Sequence, residues 1–162
     1  MFDILVYLYE TYYHPETCPD SIALAKKLSS VGFDDEEIVE ALNWLSGLAD
    51  STRQLAAGTE AEITPQFSAQ TRAFRVFTEE ENQHLGCQAV GFIHYLYNAG
   101  LVDAQQREVV IDRAMAIDES PISLAKLKVV VLMMLWSLGS EPGTLVLDEL
   151  LLSEEDSVRL MH

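Results

Sequence analysis

Apolar residues recur along the chain at spacings of three and four, the pattern of helices that each bury one face. The predicted helices cover residues 2–13, 21–31, 34–49, 79–98, 103–117, 121–138 and 145–152. The helix over 121–138 is apolar on nearly all sides, so we expect other helices to surround it. The pattern therefore predicts a mainly α-helical protein.

Side chains with the spacing of a capping box mark three helix starts: Asp34 with Glu37, Thr78 with Glu81, and Asp103 with Gln106. In such a pair each side chain accepts a hydrogen bond from the backbone N–H of the other residue. Ser120 before Pro121 marks the following start, because proline is tolerated at the first helical position. Gly32 is the stop signal of the second helix.

Residues 50–72 are rich in Ser, Thr, Gln, Ala and Gly and lack helical periodicity, which indicates a mobile loop or a wing. The short runs 63–67 and 73–77 have the character of two strands that pair as a β-hairpin. Three helices followed by a hairpin is the order of a winged helix. We therefore predict a winged-helix-like unit over residues 1–78 and a helical bundle over residues 79–162.

The helix predicted over residues 34–49 has the position of a DNA-recognition helix but the wrong charge. It contains five carboxylates, at positions 34–37 and 40, and no Lys or Arg. Phosphates dominate the affinity of DNA-binding helices, so we do not expect duplex DNA to bind through this helix. The net charge of −16 likewise favours basic partners over nucleic acid or anionic membranes.

The outer face of the same helix is the candidate partner-binding surface. Glu36 and Glu40 point away from the buried stripe, with Trp44 at its margin, although a large aromatic residue also suits a core. The favoured hypothesis is a non-catalytic adaptor or regulatory module that presents this acidic face to a basic protein. That partner would itself handle nucleic acid, in DNA processing or translation.

The alternative hypothesis is weak nucleic-acid binding through the predicted wing. Arg53, Arg72 and Arg75 outnumber Glu60 and Glu62 there, so this part of the chain has no acidic excess. Such a contact would be weak and sensitive to salt. The polar run Arg107, Glu108, Asp112 and Arg113 is a further interaction face or a set of stabilising helical charge pairs.

Catalytic and metal chemistry find little support. His94 follows Cys87 by seven residues, a rise of roughly 10 Å along a helix, too far for one ion to bind both. A reactive thiol needs a positively charged environment, whereas Cys87 lies near the acidic run 79–81. We therefore predict no enzyme activity, no metal and no cofactor.

Cysteine usage and hydropathy indicate the cytoplasm. Cys18 and Cys87 fit no disulfide framework, as expected in a reducing compartment. The apolar start is interrupted by Asp3 and lacks a basic leader, so it does not resemble a signal peptide. The most hydrophobic run, residues 129–136, is far shorter than the roughly 20 residues of a membrane-spanning helix.

Several segments together resemble the Smg family of bacterial proteins. They are MFDILVYLYETYYH, ALNWL, RVFTEEE, REVVIDRAMAID, LKVVVLMML and the carboxy-terminal His162. The resemblance spans nearly the full length and implies a cytoplasmic proteobacterial protein. It also implies a gene near those for DNA processing and uptake, peptide deformylase or a topoisomerase-like protein. It implies no catalytic or binding residues, because none are established for the family.

Overall fold

The computed structural model describes residues 1–12, 15–60 and 75–139 of the 162-residue chain. These residues form six α-helices and a short 3₁₀ turn at Pro15–Thr17. The helices are α1 (Phe2–Thr11), α2 (Ser21–Val31), α3 (Asp35–Glu60), α4 (Glu79–Asn98), α5 (Ala104–Met115) and α6 (Leu124–Ser137). No strand occurs in these described ranges, and the mainly α-helical prediction is confirmed.

Helix α6 lies at the centre of the described structure. Its sequence, LAKLKVVVLMMLWS, is apolar on almost every side, and residues 130–136 are all buried. Helices α1, α3, α4 and α5 all contact it. Because such a helix is stable only when its neighbours remove it from water, this packing buries apolar surface that would otherwise face solvent. The expectation that other helices surround it is confirmed.

Polar bonds fix α1 and α3 on the end of α6. The indole Nε1 of Trp136 donates to the Tyr12 carbonyl at 2.8 Å, and the Thr52 hydroxyl lies 3.1 Å from that of Ser137. One cluster of buried side chains extends from Ile4 in α1 to α6. The core is thus shared across residue 78, while the division into two units at that point stays a prediction.

The capping predictions for α4 and α5 are confirmed. Thr78 Oγ1 accepts from the Glu81 N–H at 3.2 Å, and the Glu81 carboxylate accepts from the Thr78 N–H at 2.9 Å. Asp103 and Gln106 make the same reciprocal pair at 2.7 and 3.0 Å. Gly32 ends α2 with a φ of 112°, as its position predicts.

Helix α3 is longer than predicted, because residues 50–60 continue it. The prediction of a loop or wing over 50–72 is therefore wrong for this part. Thr52 explains the difference: its hydroxyl bonds the Leu48 carbonyl at 3.0 Å and reaches Ser137 on α6. Tertiary contact thus stabilises a segment whose own periodicity is weak.

The winged-helix detail finds no support in the described residues. Residues 75–77 lead into α4 without forming a strand, and residues 61–74, which hold the rest of the predicted hairpin, lie outside the described ranges. The helix predicted over 145–152 also lies outside them. The observed unit is a helical one in which α2 and α3 pack together and α1 and α3 pack together.

Helix α6 begins at Leu124 after an N-cap at Ser123, and the predicted start at Ser120 and Pro121 is wrong. The residues around that proline pack on α4 instead. The Ser120 hydroxyl donates to the Gln83 carbonyl at 3.2 Å, and the Ile122 N–H donates to the His84 carbonyl at 2.8 Å.

These bonds lie beside an interruption in α4. Gly86 has φ 77° and ψ 166°, which is not a helical conformation, so residues 79–85 and 87–98 form two segments joined by a kink. Glycine alone adopts this region readily. A Cβ atom at Gly86 would lie 3.1 Å from Pro121 Cβ, so the backbone of α4 also comes close to the loop before α6.

Candidate interaction surface

The exposed sides of α2 and α3 enclose an open groove, hereafter the α2–α3 groove. Its main part has a volume of about 600 Å³ and is lined by Ser21, Ile22, Ala25, Lys26, Val39, Leu42, Asn43 and Ser46. A second hollow is lined by Asp35, Glu36, Val39, Glu40 and Asn43. The two hollows share Val39 and Asn43, so they form one continuous surface along α3.

Local sequence sets the position of the two walls. Gly32 turns the chain between α2 and α3, and Phe33 packs edge-on against Tyr7 of α1 with ring centroids 5.8 Å apart. Ile38 is buried in the core just after the turn. Because one face of α3 is fixed inward in this way, Glu36 and Glu40 face outward, and their predicted orientation is confirmed.

Two aliphatic side chains stand exposed in the groove. Ile22 is 67% exposed and Val39 is 57% exposed. Single exposed aliphatic residues are ordinary on protein surfaces, but these two line the same hollow with Ala25 and Leu42 between the helices. The groove thus has an apolar part that the described structure leaves open to water.

The start of α3 adds an acidic part. Asp35, Glu36 and Glu40 are exposed, and no Lys or Arg of the described ranges forms an ion pair with them. Some carboxylates elsewhere have cationic partners, such as Glu81 and Glu108 with Arg75, whereas others, such as Glu79 and Glu80, have none in the described ranges. The negative charge on this face is therefore not neutralised by its neighbours.

Trp44 does not belong to this surface. Its side chain is only 6% exposed, and its indole Nε1 donates to the Arg113 carbonyl at 3.2 Å. The predicted placement at the margin of the exposed face is corrected: Trp44 fills the contact between α3 and α5. The large indole ring fills the core and its N–H group is bonded there. The core position, the alternative in the sequence-based prediction, is therefore the observed one.

Arg75, a candidate nucleic-acid contact, is held in an ion-pair network. Its guanidinium donates two bonds of 2.8 Å to the Glu81 carboxylate and one of 2.6 Å to Glu108. It also lies 4.8 Å from the ring centroid of Phe77 and is only 18% exposed. The network joins the segment before α4 to α4 and α5.

This pairing changes the acid–base behaviour of Glu81. Hydrogen bonds from Arg75, and then from the Thr78 N–H, lower the pKa of Glu81 from 4.5 to about 2. The same pairing raises the pKa of Arg75. The arginine is therefore engaged within the fold.

Of the other two candidate arginines, one lies within the described residues. Arg53 lies on α3, is exposed, and pairs with Asp50 at 3.0 Å. Arg72 lies outside the described residues. Binding of nucleic acid through these residues stays a prediction, but the described ranges give it no cluster of available guanidinium groups.

The polar run in α5 also packs internally. The Arg107 guanidinium lies 4.5 Å from the Tyr97 ring centroid, and that of Arg113 covers Gly47 so closely that a Cβ atom there would collide with it. Sequence reasoning missed both contacts. It also missed Ile22 and Val39, although aliphatic residues at outward-facing positions of two adjacent helices were a usable signal.

Comparison with known proteins supplies the family. A family model described as a protein of unknown function, DUF494, matches residues 1–161. Proteins named Smg homolog from Herminiimonas arsenicoxydans, Methylibium petroleiphilum and Leptothrix cholodnii are 52%, 48% and 47% identical, each over the full length of both chains. The chain belongs to the Smg family. No solved structure matches this Smg chain.

The Smg family description names no reaction, so the chain's own side chains must indicate any chemistry. His84 Nε2 lies 3.2 Å from the Ala114 carbonyl, and His94 packs edge-on against Phe77 at 5.3 Å. Cys87 is exposed, and burial raises the pKa of the Cys18 thiol. Within the described part of the chain, no three His, Cys, Asp or Glu side chains are grouped closely enough to hold a metal ion.

The helices of this Smg chain were also compared with the dimensions of a bilayer. None in the described residues combines the length and the apolar character that a transmembrane helix needs. The α2–α3 groove, where exposed aliphatic side chains lie beside exposed carboxylates, is the candidate functional surface.

Proposed function

We propose that this chain is a non-catalytic protein-interaction module that presents the acidic face of α3 to a basic partner protein, one that itself handles nucleic acid. One observation supports this most directly. Asp35, Glu36 and Glu40 lack cationic partners in the described structure and lie beside the exposed aliphatic residues Ile22 and Val39. A surface of this mixed character is typical of sites where proteins bind each other.

The charge of the surface favours a protein over a nucleic acid. Three carboxylates line the acidic part, and Lys26 is the basic residue among the groove's lining side chains. Such a surface repels phosphates and attracts Lys and Arg side chains, which increases the association rate and selects against acidic partners. A basic protein that binds nucleic acid offers the required charge.

The shape of the surface supports binding without catalysis. The groove is open along its length, and its lining contains no His or Cys. Its carboxylates are exposed at the rim. General acid–base and nucleophilic catalysis usually need enclosed groups that activate one another, and this arrangement offers none.

Charge reversal with a matched control tests the proposal. Glu36→Lys with Glu40→Lys reverses the acidic face, whereas Glu79→Lys with Glu80→Lys reverses two exposed carboxylates at the start of α4. Each variant would be crosslinked in host cells, and the captured proteins identified by mass spectrometry. Basic partners should be retained by the wild type and the α4 variant and lost by the α3 variant.

The affinity for a purified captured partner completes this test. The α3 reversal should weaken binding more than about tenfold, since close charge pairs at interfaces couple by more than about 1.5 kcal/mol. Both variants should remain folded with modestly lowered urea midpoints, because Glu36, Glu79 and Glu80 each lie in the first turn of a helix, where an acidic residue contributes about 0.3–1 kcal/mol. Equal capture by both variants would refute the proposal, as would submicromolar binding of duplex DNA near physiological salt.

A further inference from the structure

The geometry of the α2–α3 groove indicates which kind of segment of a partner protein it can bind. This inference rests on the proposed function. On α3 the lining residues run from Asp35 to Ser46, about 16 Å at a rise of 1.5 Å per residue. This length corresponds to about three turns of a second helix. The groove is thus large enough for one short segment of secondary structure.

The walls determine which segment fits. Both are α-helices, whose backbone groups away from the ends bond within their own helix, so the groove offers mainly side chains. An extended peptide would bring unpaired N–H and C=O groups to such walls, and it would find no strand edge to pair with. A helix brings a backbone that is already paired, so it is the favoured occupant.

The distribution of polarity determines the side chains of that helix. The aliphatic Ile22 and Val39 lie toward α2, while Asp35, Glu36 and Glu40 lie along the first turns of α3. We propose that the groove seats an amphipathic helix of the partner, with apolar residues between Ile22 and Val39 and Lys or Arg residues facing the three carboxylates. The partner's apolar stripe and its basic flank would therefore lie side by side on about three turns.

A second copy of the chain does not meet these requirements. The chain has a net charge of −16, so two such surfaces brought together would repel each other. None of the helices α1 to α6 has a basic flank comparable to the acidic face, because α2 and α6 contribute two Lys residues each and the arginines of α3 and α5 are already engaged. These arginines are Arg53, which pairs with Asp50, and Arg107 and Arg113, which pack against Tyr97 and Gly47. The occupant is therefore expected to be a different protein.

Three labelled synthetic peptides of about 14 residues, all stapled as helices, provide the direct probe. The first carries Leu on one face and Lys and Arg beside it, the second has the same composition in shuffled order, and the third has Ser in place of Leu. Their binding to the full chain would be measured by fluorescence anisotropy near physiological salt. The first peptide should bind at least about tenfold more tightly than the other two.

Matched variants locate the binding. Val39→Ser should weaken binding of the first peptide at least about fivefold, and Ile22→Ser provides the same test from α2 if that variant folds poorly. Val31→Ser is the control, because Val31 is comparably exposed, at 52%, but does not line the groove. Glu36→Lys with Glu40→Lys should also weaken binding, and the Glu79 and Glu80 reversal should not.

The outcomes separate this inference from the proposed function. Equal binding of the ordered and shuffled peptides, or an unchanged affinity of Val39→Ser and Ile22→Ser, would overturn the helix seat while leaving an acidic docking face intact. If the Glu36 and Glu40 reversal left the affinity for the first peptide and for the partner unchanged, both the proposed function and the basic flank of the seated helix would be overturned. Sedimentation that shows a dimer dissociated by Val39→Ser would identify a second copy as the occupant and also overturn the inference.

Discussion

Replacement of Gly86 by alanine should destabilise the protein by about 2–3 kcal/mol. Its backbone, at φ 77° and ψ 166°, lies in a region that costs other residues about 1–3 kcal/mol. The added Cβ would meet Pro121 Cβ at 3.1 Å, and such overpacking costs on the order of 1 kcal/mol more. The reduced entropy of the unfolded chain returns only about 0.4–1 kcal/mol.

Gly91, on the same helix, provides the matched control. It is exposed, has no positive φ, and has no atom within 4 Å of the position a Cβ would take. Gly91→Ala should therefore stabilise the protein by about 0.5–1 kcal/mol, the ordinary difference in helix propensity. Both variants replace glycine with alanine on α4. Because only Gly86 lies at the kink, we expect the free energy of unfolding to fall in Gly86→Ala and to rise in Gly91→Ala.

Urea unfolding followed by circular dichroism measures both effects, provided that the slope of the transition is unchanged. If Gly86→Ala were as stable as Gly91→Ala, α4 would be a continuous helix in solution. The bonds from Ser120 and Ile122 to the carbonyls of α4 would then not require the kink. That result would refute the reasoning, and a loss of stability in both variants would show that α4 tolerates no change at either position.

Two further predictions concern residues that the sequence offered as binding sites. Arg75→Ala removes charge-assisted bonds to Glu81 and Glu108 and should cost about 1–3 kcal/mol, a value kept modest because water reaches the pair. Since Arg75, together with Thr78, lowers the pKa of Glu81 from 4.5 to about 2, this stability is present above pH 4.5 and lost as the pH falls toward 2. Urea midpoints should fall more steeply over that range in the wild type than in Arg75→Ala, and parallel curves would contradict the pairing. Trp44→Phe should cost about 1–2 kcal/mol, because a partly buried α5 carbonyl loses its donor, and it should leave binding of the amphipathic peptide unchanged. Weaker binding with unchanged stability would show that Trp44 belongs to the binding surface.

Local signals were sufficient to predict much of the fold. The capping boxes at Thr78 and Asp103 and the stop at Gly32 each depend on residues a few positions apart, and all three appear in the structure. The apolar run of α6 predicted its central place for a similar reason, since its composition alone requires burial. These features are set by short-range physics that a single sequence records.

The features that escaped prediction depend on residues far apart in the chain. The extension of α3 through Thr52 relies on Ser137, and the role of Arg75 relies on Glu108. Neither partner can be assigned by spacing. The same limit applies to the candidate site, where the orientation of Glu36 and Glu40 followed from periodicity but the groove with Ile22 required the packing of two helices.

The carboxylates of the acidic face also act on the helix that holds them. Asp35 and Glu36 lie in the first turn of α3, at the positive end of its macrodipole, where each acidic residue contributes about 0.3–1 kcal/mol. Neutralising Asp35 and Glu36 therefore destabilises the start of the helix and also reduces the negative electrostatic potential of the exposed face. Val39 and Glu40 lie beyond that turn and have no such second role. They are the positions at which specificity can change during evolution or engineering while the helix start keeps its stability.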